Sequence, residues 1–330
     1  MNIHTSKFAP GVRAASEKFQ HPDVTAKGEQ RASVALEKLD TLWVNTGTLC
    51  NIECANCYIF SSPSNDALVY ISAAEVGALL DEISTLQLGT REIGFTGGEP
   101  FLNPDMLAMT GDALSRGHEV LVLTNAMQPL QRPGIKAGLL TLREQYGDQL
   151  TLRVSLDHFA QEKHELERGQ NTWAKALAGM DWLAENGFRL AIAGRTCWGE
   201  SEDVSRDGYR ALIAAHGWPI DADDRGQLVL FPEMEEVEDV PEITTACWQI
   251  LGKTPSDIMC SATRMVVKRK GEDTVKVLPC TLIPFDERFE MGSTLAASLS
   301  ATGGMFDDGA VKLCHPFCAK FCVLGGGSCS

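Results

Sequence analysis

The sequence has no long hydrophobic run, which excludes a membrane-spanning helix. A helix that crosses a bilayer needs about 20 consecutive, predominantly apolar residues, and no segment of the 330 residues approaches that composition. The first ten residues are polar and lack the apolar core of a secretory signal. We therefore expect a protein with no membrane partner that resides in the cytoplasm.

Basic charge is also scarce. The chain has 29 Lys and Arg residues against 44 Asp and Glu residues, which gives a net charge of −15. A protein that binds phosphates through counterion release needs a basic stripe. The compact basic stretch 268–270 is predicted to be a solvated hairpin edge. We therefore expect no nucleic-acid partner.

Cysteine, in contrast, is abundant. In a reducing compartment, eleven cysteines favour metal ligation over disulfides. Cys50, Cys54 and Cys57 lie within eight residues, with no fourth cysteine or histidine close by. A cubane cluster normally takes four cysteine ligands, so three ligands leave one iron open to a substrate or cofactor. A zinc knuckle or buried structural thiols are the alternatives for so short a run.

Apolar, strand-like runs alternate with helix-like segments in six units, a pattern typical of parallel strands joined by right-handed crossovers. It predicts an α/β fold, a partial (β/α)6 TIM barrel rather than the closed eight-unit form, with a small C-terminal module. Predicted strands are 41–45, 92–95, 120–123, 150–156, 189–193 and 228–231, and predicted helices are 72–86, 103–117, 135–146, 172–186 and 204–216. A capping box at Ser72 and the pair Asn103-Pro104 mark two helix starts.

Three segments divide the chain. We expect an N-terminal cap over residues 1–40, helical or partly loose, because this stretch is polar and rich in Lys, Gln and Ala. The barrel core is predicted over 41–235 and the C-terminal module over 236–330. The acidic, proline-flanked stretch 233–242 marks the boundary between core and module.

Polar motifs follow the predicted strands at the end where α/β barrels carry their chemistry. After the second strand, Gly97 and Gly98 allow a close backbone approach to a ligand and Pro100 fixes the next turn. Asn125, after the third, fits either a ligand contact or a helix-capping turn. Alternation places Ser155 and Asp157 on one side of the fourth. Arg195 ends the fifth, where a guanidinium either clamps a carboxylate bidentately or forms a surface salt bridge.

The CxxxCxxC spacing together with Gly97-Gly98-Glu99 resembles the radical S-adenosylmethionine (SAM) superfamily. The resemblance implies a [4Fe–4S] cluster on Cys50, Cys54 and Cys57, whose open iron chelates SAM and whose electron cleaves it to a 5′-deoxyadenosyl radical. It assigns SAM contacts to Tyr58, Gly97, Gly98, Glu99, Pro100, Asn125, Ser155, Asp157 and Arg195.

Within that resemblance, the backbone of the glycine motif and the Glu99 side chain are expected to receive the methionine amino group. Ser155 and Asp157 are expected to bind the ribose hydroxyls. Asn56 stands where the family has an aromatic residue, so Tyr58 is expected to contact the adenine. His158 and His164 are predicted to be surface histidines, although His164, Arg168 and Gly169 echo a His-x-x-x-Arg-Gly stretch of the peptide-maturase branch.

The C-terminal cysteines form a second group. Cys260, a hairpin turn near Gly271, Cys280 and a helical stretch after Gly292 resemble SPASM and twitch modules, which carry auxiliary [4Fe–4S] clusters. The candidate ligands are Cys260, Cys280, Cys314, Cys318, Cys322 and Cys329. Six cysteines exceed the four that one cubane needs; we predict one auxiliary cluster, with two clusters, a spare redox pair or zinc as alternatives. Cys197 and Cys247 are predicted to be buried small hydrophobes.

Three functions are compatible with these patterns. The first is a radical SAM enzyme that abstracts hydrogen from a small molecule or natural-product precursor, with flavodoxin or ferredoxin as electron donor. The second is a SPASM-type maturase of a ribosomal peptide, although residues 1–40 are short for a peptide-binding domain. The third, a non-catalytic iron–sulfur or zinc protein, does not explain why polar motifs stand on consecutive strand ends.

Overall fold

In the computed structural model, which describes residues 18–232 and 239–325, one large sheet organises the chain. The strands are β1 (Ser33–Val34), β2 (Thr41–Asn45), β3 (Glu92–Thr96), β4 (Glu119–Thr124), β5 (Leu150–Ser155), β6 (Arg189–Arg195), β7 (Leu228–Phe231), β8 (Thr263–Val267), β9 (Lys276–Leu278), β10 (Phe306–Asp307) and β11 (Ala310–Lys312). Strands β2 to β7 lie side by side in chain order and pair in parallel. The six-strand open barrel predicted from the sequence is confirmed.

Helices follow the parallel strands and cover the sheet. They are α1 (Ala73–Thr85), α2 (Met106–Ser115), α3 (Gln128–Gln131), α4 (Pro133–Tyr146), α5 (Gln161–Arg168), α6 (Trp173–Glu185), α7 (Glu202–His216), α8 (Cys247–Leu251) and α9 (Leu295–Leu299). The capping box at Ser72 is present, since its hydroxyl accepts from the Glu75 amide and its amide donates to the Glu75 carboxylate. None of the described helices is long and apolar enough to cross a bilayer.

Two local predictions were wrong. Asn103 does not cap α2, which begins at Met106; its amide instead donates to the carbonyls of Thr46 (3.2 Å) and Ile71 (2.9 Å), so tertiary contacts use its polar groups. Helix α5 was not expected at all. Its segment is strongly charged and lacks an apolar stripe, because the residues that it buries are His164 and Glu167.

The N-terminal and C-terminal segments pack on each other. The described part of the expected cap, residues 18–40, holds turns and β1 rather than a helix. Strand β1 pairs with β11, which pairs with β10 in a small antiparallel sheet. The predicted hairpin is present as β8 and β9, and β8 also pairs in parallel with β2, so the module extends the barrel sheet. The acidic residues 233–238 and Cys329 lie outside the described residues.

The basic stretch of the hairpin is neutralised within the fold. Lys268, Arg269 and Lys270 each meet a carboxylate, at 2.7, 2.5 and 2.6 Å respectively. Three cations held by acids of the same chain do not form a phosphate-binding patch.

Candidate active site

A pocket of about 220 Å³ opens at the carboxyl ends of the parallel strands. The loops after β2, β3, β4, β5 and β7 contribute to its wall, as does the end of β6 itself, as expected for an α/β barrel. The residues singled out from the sequence that line it are Cys50, Cys54, Cys57, Tyr58, Gly97, Gly98, Asn125, Ser155, Asp157 and Arg195. Residues far apart in the chain are thus brought together in one cavity.

Two of the three thiols of the first cysteine site (Cys50, Cys54 and Cys57) accept hydrogen bonds from backbone or side-chain donors. Asn125 donates to the Cys50 Sγ at 3.9 Å, and the Ser61 amide donates to the Cys57 Sγ at 3.3 Å. Burial raises the pKa of Cys50 to about 11 and that of Cys54 to about 12, so without metal these thiols are protonated. Metal ligation requires thiolates and therefore releases protons here.

The first cysteine site fits a cluster better than a single ion. Cys50, Cys54 and Cys57 line one pocket, and three cysteines are the ligand set of a multi-iron centre that keeps one open position. The donor chemistry, three cysteines and no histidine or carboxylate ligand, supports the same conclusion.

The glycine motif is needed for contact with the cysteine loop. A Cβ on Gly98 would lie 2.1 Å from the Leu49 carbonyl oxygen, and one on Gly97 would lie 2.6 Å from that of Gly47. The Gly98 amide donates to the Gly47 carbonyl at 2.8 Å. The sequence pointed to a close approach between this backbone and a ligand. In the structure, the approach that excludes a side chain is the one between the ends of β2 and β3.

Glu99 and Pro100 lie behind the pocket wall rather than in it. The Glu99 carboxylate is fully buried and accepts from the Thr124 hydroxyl (2.8 Å), the Asn125 amide (2.8 Å) and the Phe101 amide (3.2 Å). Burial raises its pKa to about 7. The carboxylate joins the ends of β3 and β4 and positions Asn125; its contact with a methionine amino group stays a prediction.

Asn56 and Arg195 are both bound by Glu167 of α5. The Glu167 carboxylate accepts from the Asn56 amide nitrogen (2.9 Å) and side chain (2.8 Å) and forms an ion pair with Arg195 at 2.6 Å. The carboxylate is buried, so this is not the surface salt bridge considered for Arg195. Glu167 therefore fastens the cysteine loop to the ends of α5 and β6, and nothing in its local sequence signalled this role.

Asp157 is also bound by α5. The carboxylate meets Arg168 in a two-point contact, with 2.7 Å from Nε and 2.9 Å from Nη2. The positive charge of Arg168 acts on Cys50 and Cys54 and opposes the rise of their pKa values. The His-x-x-x-Arg-Gly echo was the only sequence signal for this residue. The pairing leaves Ser155 as the polar wall residue at the end of β5.

The prediction of two surface histidines was wrong. His158 and His164 are both buried. The His158 Nδ1 accepts from the Ala160 amide (2.9 Å) and its Nε2 meets Glu200 (3.3 Å), while His164 lies edge-on against Trp173. Burial lowers the pKa of His164 to about 4, so the ring is neutral at pH 7.

The second cysteine site (Cys260, Cys280, Cys318 and Cys322) surrounds a small cavity of about 10 Å³ in the C-terminal module. Its other lining residues are apolar: Ile258, Met259, Pro279, Ile283, Val311 and Leu313. Cys260 precedes β8, Cys280 follows β9, and Cys318 and Cys322 lie one turn apart on the π-helix Cys318–Leu324. The structure thus brings four of the six candidate ligands together.

Three other cysteines lie apart from the second cysteine site. Cys314 is fully buried but does not line the cavity, and its Sγ donates to the His21 carbonyl at 3.4 Å. Cys197 and Cys247 are half-buried, so their predicted full burial was wrong. For Cys247, the side chain contacts Thr244 at a loop surface.

One loop links the two cysteine sites. Thr281 and Leu282, which directly follow Cys280, line the first pocket together with Phe231 and Pro232. Further along the loop, Phe285 stacks on Phe60 of the cysteine loop at 5.9 Å between ring centroids. The wall of the first pocket is therefore only one residue from a thiol of the second cysteine site.

Comparisons with known proteins agree with this site. Residues 44–197 match the family model described as Radical SAM superfamily. Among curated proteins, the subtilosin biosynthesis protein AlbA of Bacillus subtilis is 28% identical over 44% of this chain and 30% of its own length. The mycofactocin maturase MftC of Mycobacterium ulcerans is 27% identical over 42% of this chain and 35% of its own length. The chain thus spans about a third of each.

Among solved structures, Streptococcus suis SuiB bound to SAM superposes with a TM-score of 0.58 at 12% identity, over 80% of this chain and 65% of that one. At this identity the likeness shows the fold alone. The sequence match covers the segment that holds the first cysteine site and the motifs on the strand ends. Residues 44–197 of the chain are therefore a radical SAM domain, the family that uses a [4Fe–4S] cluster and SAM.

Proposed function

We propose that this protein reductively cleaves SAM and uses the 5′-deoxyadenosyl radical to abstract hydrogen from a substrate. The observation that carries the proposal is the meeting of Cys50, Cys54 and Cys57 in one pocket with the glycine motif and the polar strand ends. When bound by these thiolates, a [4Fe–4S] cluster supplies the electron and the open coordination position.

The chain's own residues orient the cysteine ligands and shield the pocket from water. Asn125 donates to the Cys50 sulfur, and hydrogen bonds to sulfur are one of the factors that set the potential of such a centre. Asp157 and Arg168 neutralise each other, as do Glu167 and Arg195. The pocket surface is largely apolar, with Trp43, Ile52, Ile59, Leu123 and Leu282 in its wall. Such a wall excludes water, which protects a reactive intermediate from side reactions.

We further propose that the second cysteine site holds one auxiliary [4Fe–4S] cluster on Cys260, Cys280, Cys318 and Cys322. Four thiols around an apolar cavity fit complete cysteine ligation. A completely ligated cluster has no open iron for a substrate, so the proposed role is to accept an electron. Flavodoxin or ferredoxin is the proposed donor to the protein, and the cytoplasm the compartment in which these thiols stay reduced. The division into a core over 41–235 and a module over 236–330 remains part of this proposal.

The proposed substrate is a small molecule or natural-product precursor, and a peptide is the second candidate. The comparisons favour the peptide: AlbA is named for bacteriocin biosynthesis, MftC is a maturase, and SuiB has been solved bound to its precursor peptide SuiA. A GTP 3′,8-cyclase is also among the relatives, which supports the small-molecule candidate. A short precursor-peptide reading frame beside the gene would support the maturase; neighbouring biosynthetic enzymes would support the small molecule.

Release of 5′-deoxyadenosine tests the first proposal. The full-length protein, reconstituted anaerobically with iron and sulfide, is incubated with dithionite and SAM, and the product is quantified by chromatography. We expect release by the parent and loss of at least 100-fold in Cys54→Ala, because an incomplete ligand set cannot hold the cluster. The matched control is Cys247→Ala, a half-buried cysteine outside both sites, which should keep the parent rate. Equal release by Cys54→Ala and the parent would refute the cluster assignment.

A further inference from the structure

Arg264, on strand β8, is wholly buried in the C-terminal module. Its Nη1 donates to the carbonyls of Cys260 (2.7 Å) and Thr263 (2.8 Å), and its Nη2 to that of Gly309 (3.4 Å). The Nε atom is buried and meets no acceptor in the described part of the chain. A guanidinium is not deprotonated in proteins, so a full positive charge lies inside the fold at this point.

The surroundings of Arg264 differ from those of five other buried or half-buried arginines. Each of the five forms an ion pair with a carboxylate at 2.5–2.9 Å: Arg31, Arg168, Arg195, Arg206 and Arg269. Arg264 meets only carbonyl oxygens and thiols within residues 18–232 and 239–325. An uncompensated buried charge costs several kcal/mol. Such a charge is expected where an anion is bound.

The groups on which the charge of Arg264 acts belong to the second cysteine site. They are the thiols of Cys260 and Cys280. A thiol carries no net charge and does not balance a guanidinium. Once four thiolates ligate a [4Fe–4S] core, their charge exceeds that of the core and the assembly is an anion. The guanidinium would then have a partner of opposite charge.

We propose that Arg264 is the counter-charge of the auxiliary cluster, stabilising the bound anion in its buried cavity and raising its reduction potential. The inference rests on the auxiliary cluster of the proposed function. In the redox step a one-electron donor passes one electron to the site and is itself oxidised by losing it. No bond is formed or broken and no proton is transferred. Arg264 favours the reduced state because that state carries one more negative charge, and net charge is among the factors that set such potentials.

The first test measures the potential of the second cysteine site alone. The background is the full-length protein with Cys50, Cys54 and Cys57 all changed to Ala, reconstituted with iron and sulfide. In Arg264→Met, we expect a midpoint potential more negative by about 60 mV or more, which is a tenfold change in a one-electron equilibrium constant. Arg264→Lys keeps the charge and should stay closer to the parent. Arg206→Met removes a buried arginine bound to Glu202 and Ala222 and should leave the potential unchanged.

The second test separates a counter-charge from a structural tie between carbonyl groups. In the metal-free protein, Arg264→Met should raise the thermal unfolding midpoint, because an uncompensated buried charge is removed. In the reconstituted protein the same change should lower it, because the cluster loses its partner. A lowered midpoint in both forms, or failure of the metal-free variant to fold, would assign Arg264 a structural role and overturn the inference.

The two proposals fail in different ways. If the parent background binds no iron or sulfide, the auxiliary cluster itself is refuted. If it binds both and the potential of Arg264→Met equals that of the parent, only the role of Arg264 is refuted. Iron and sulfide per chain are therefore measured for each variant before its redox titration.

Discussion

The two cysteine sites differ in ligand number, space and polarity. The first offers three thiols in a pocket of about 220 Å³ whose wall includes Asp157, Glu167, Arg168 and Arg195. The second encloses four thiols in about 10 Å³ among apolar side chains. A missing ligand coincides with a large pocket that contains charged side chains, and a full set of thiols coincides with a small apolar cavity. The difference shows how one chain can leave room for a ligand beside one metal centre and little room beside another.

The two cysteine sites also differ in whether the arginine beside them is neutralised by a carboxylate. Beside the first cysteine site, Arg168 is already neutralised by Asp157, so the pocket presents a balanced pair to whatever binds there. Beside the second, Arg264 has no carboxylate partner in the described residues. A balanced ion pair adds no net charge to the first site, whereas the unpaired guanidinium adds one positive charge beside the second.

The largest effect is expected from a change that disrupts the first cysteine site alone. In Gly98→Ala, the new methyl group meets the Leu49 carbonyl carbon and oxygen, both backbone atoms that cannot rotate away. We expect a loss of more than about 4 kcal/mol of unfolding free energy, with iron falling to the content of the second site. Gly134→Ala, where a Cβ meets nothing, is the control. Full iron content in Gly98→Ala would show that the cysteine loop can shift.

The second-largest effect is expected when the contacts of Glu167 with the cysteine loop are removed. Glu167→Ala removes the carboxylate partner of the half-buried Arg195 and frees the Asn56 side chain, which should cost about 3 kcal/mol in chemical denaturation. The KM for SAM should rise as the loop loosens, while iron in the second site is unchanged. Glu162→Ala, an exposed residue of the same helix, should change stability by less than about 0.5 kcal/mol. Equal stability of the two variants would contradict the role given to Glu167.

The buried carboxyl of Glu99 predicts a pH dependence that belongs to the first cysteine site. Its pKa is raised by burial from 4.5 to about 7, so the folded state binds the proton more tightly than the unfolded one. The resulting stability is complete below about pH 4.5 and is lost as the pH rises through about 7. By linkage it amounts to about 3 kcal/mol.

The comparison of the metal-free parent with Glu99→Gln isolates this contribution. Denaturant titrations at several pH values should show a parent stability that falls across this range relative to that of Glu99→Gln. If the unfolding free energies of the two proteins changed in parallel with pH, the pKa of Glu99 would not be raised, and the predicted pH dependence would be wrong.

The smallest effect on stability is expected from a variant that tests which cysteines are ligands in the second cysteine site. Cys314→Ala removes a buried sulfur outside the cavity and should cost only about 1 kcal/mol, with iron and sulfide content unchanged. Cys318→Ala should remove the iron of the second site, because the apolar lining of the cavity offers no other ligand in place of the lost thiol. If both variants lose iron alike, Cys314 is a ligand and the cavity set is wrong.

The barrel could be predicted from the sequence because its strands are short, continuous apolar runs. Strand β2 is buried along its whole length, and a strand covered on both faces shows no alternation to confuse with a helix. The chain order of strands also gave the sheet order, since successive parallel units lie side by side. The positions of the thiols and of Gly97, Gly98 and Asn125 at strand ends followed from that order.

What could not be predicted depends on contacts between distant segments. Helix α5 has no apolar stripe, because its buried face is formed by His164 and Glu167 and is satisfied by partners elsewhere in the chain. The pairing of β8 with β2 joins residues more than two hundred positions apart. The separation of Cys314 from Cys318 follows from how the π-helix faces the cavity, which no spacing rule encodes.

The pairing of β1 with β11 has a consequence for the order of assembly. Val34 lies opposite Val311, so a strand near the beginning of the described chain cannot gain its partner until nearly all of the described chain has been made. Closing so long a loop is slow, since its entropy must be lost before the contact stabilises anything. During synthesis the barrel can form first, and its cysteine loop can receive iron while the second cavity is still open. We therefore expect maturation in two stages, with the second cavity loaded last.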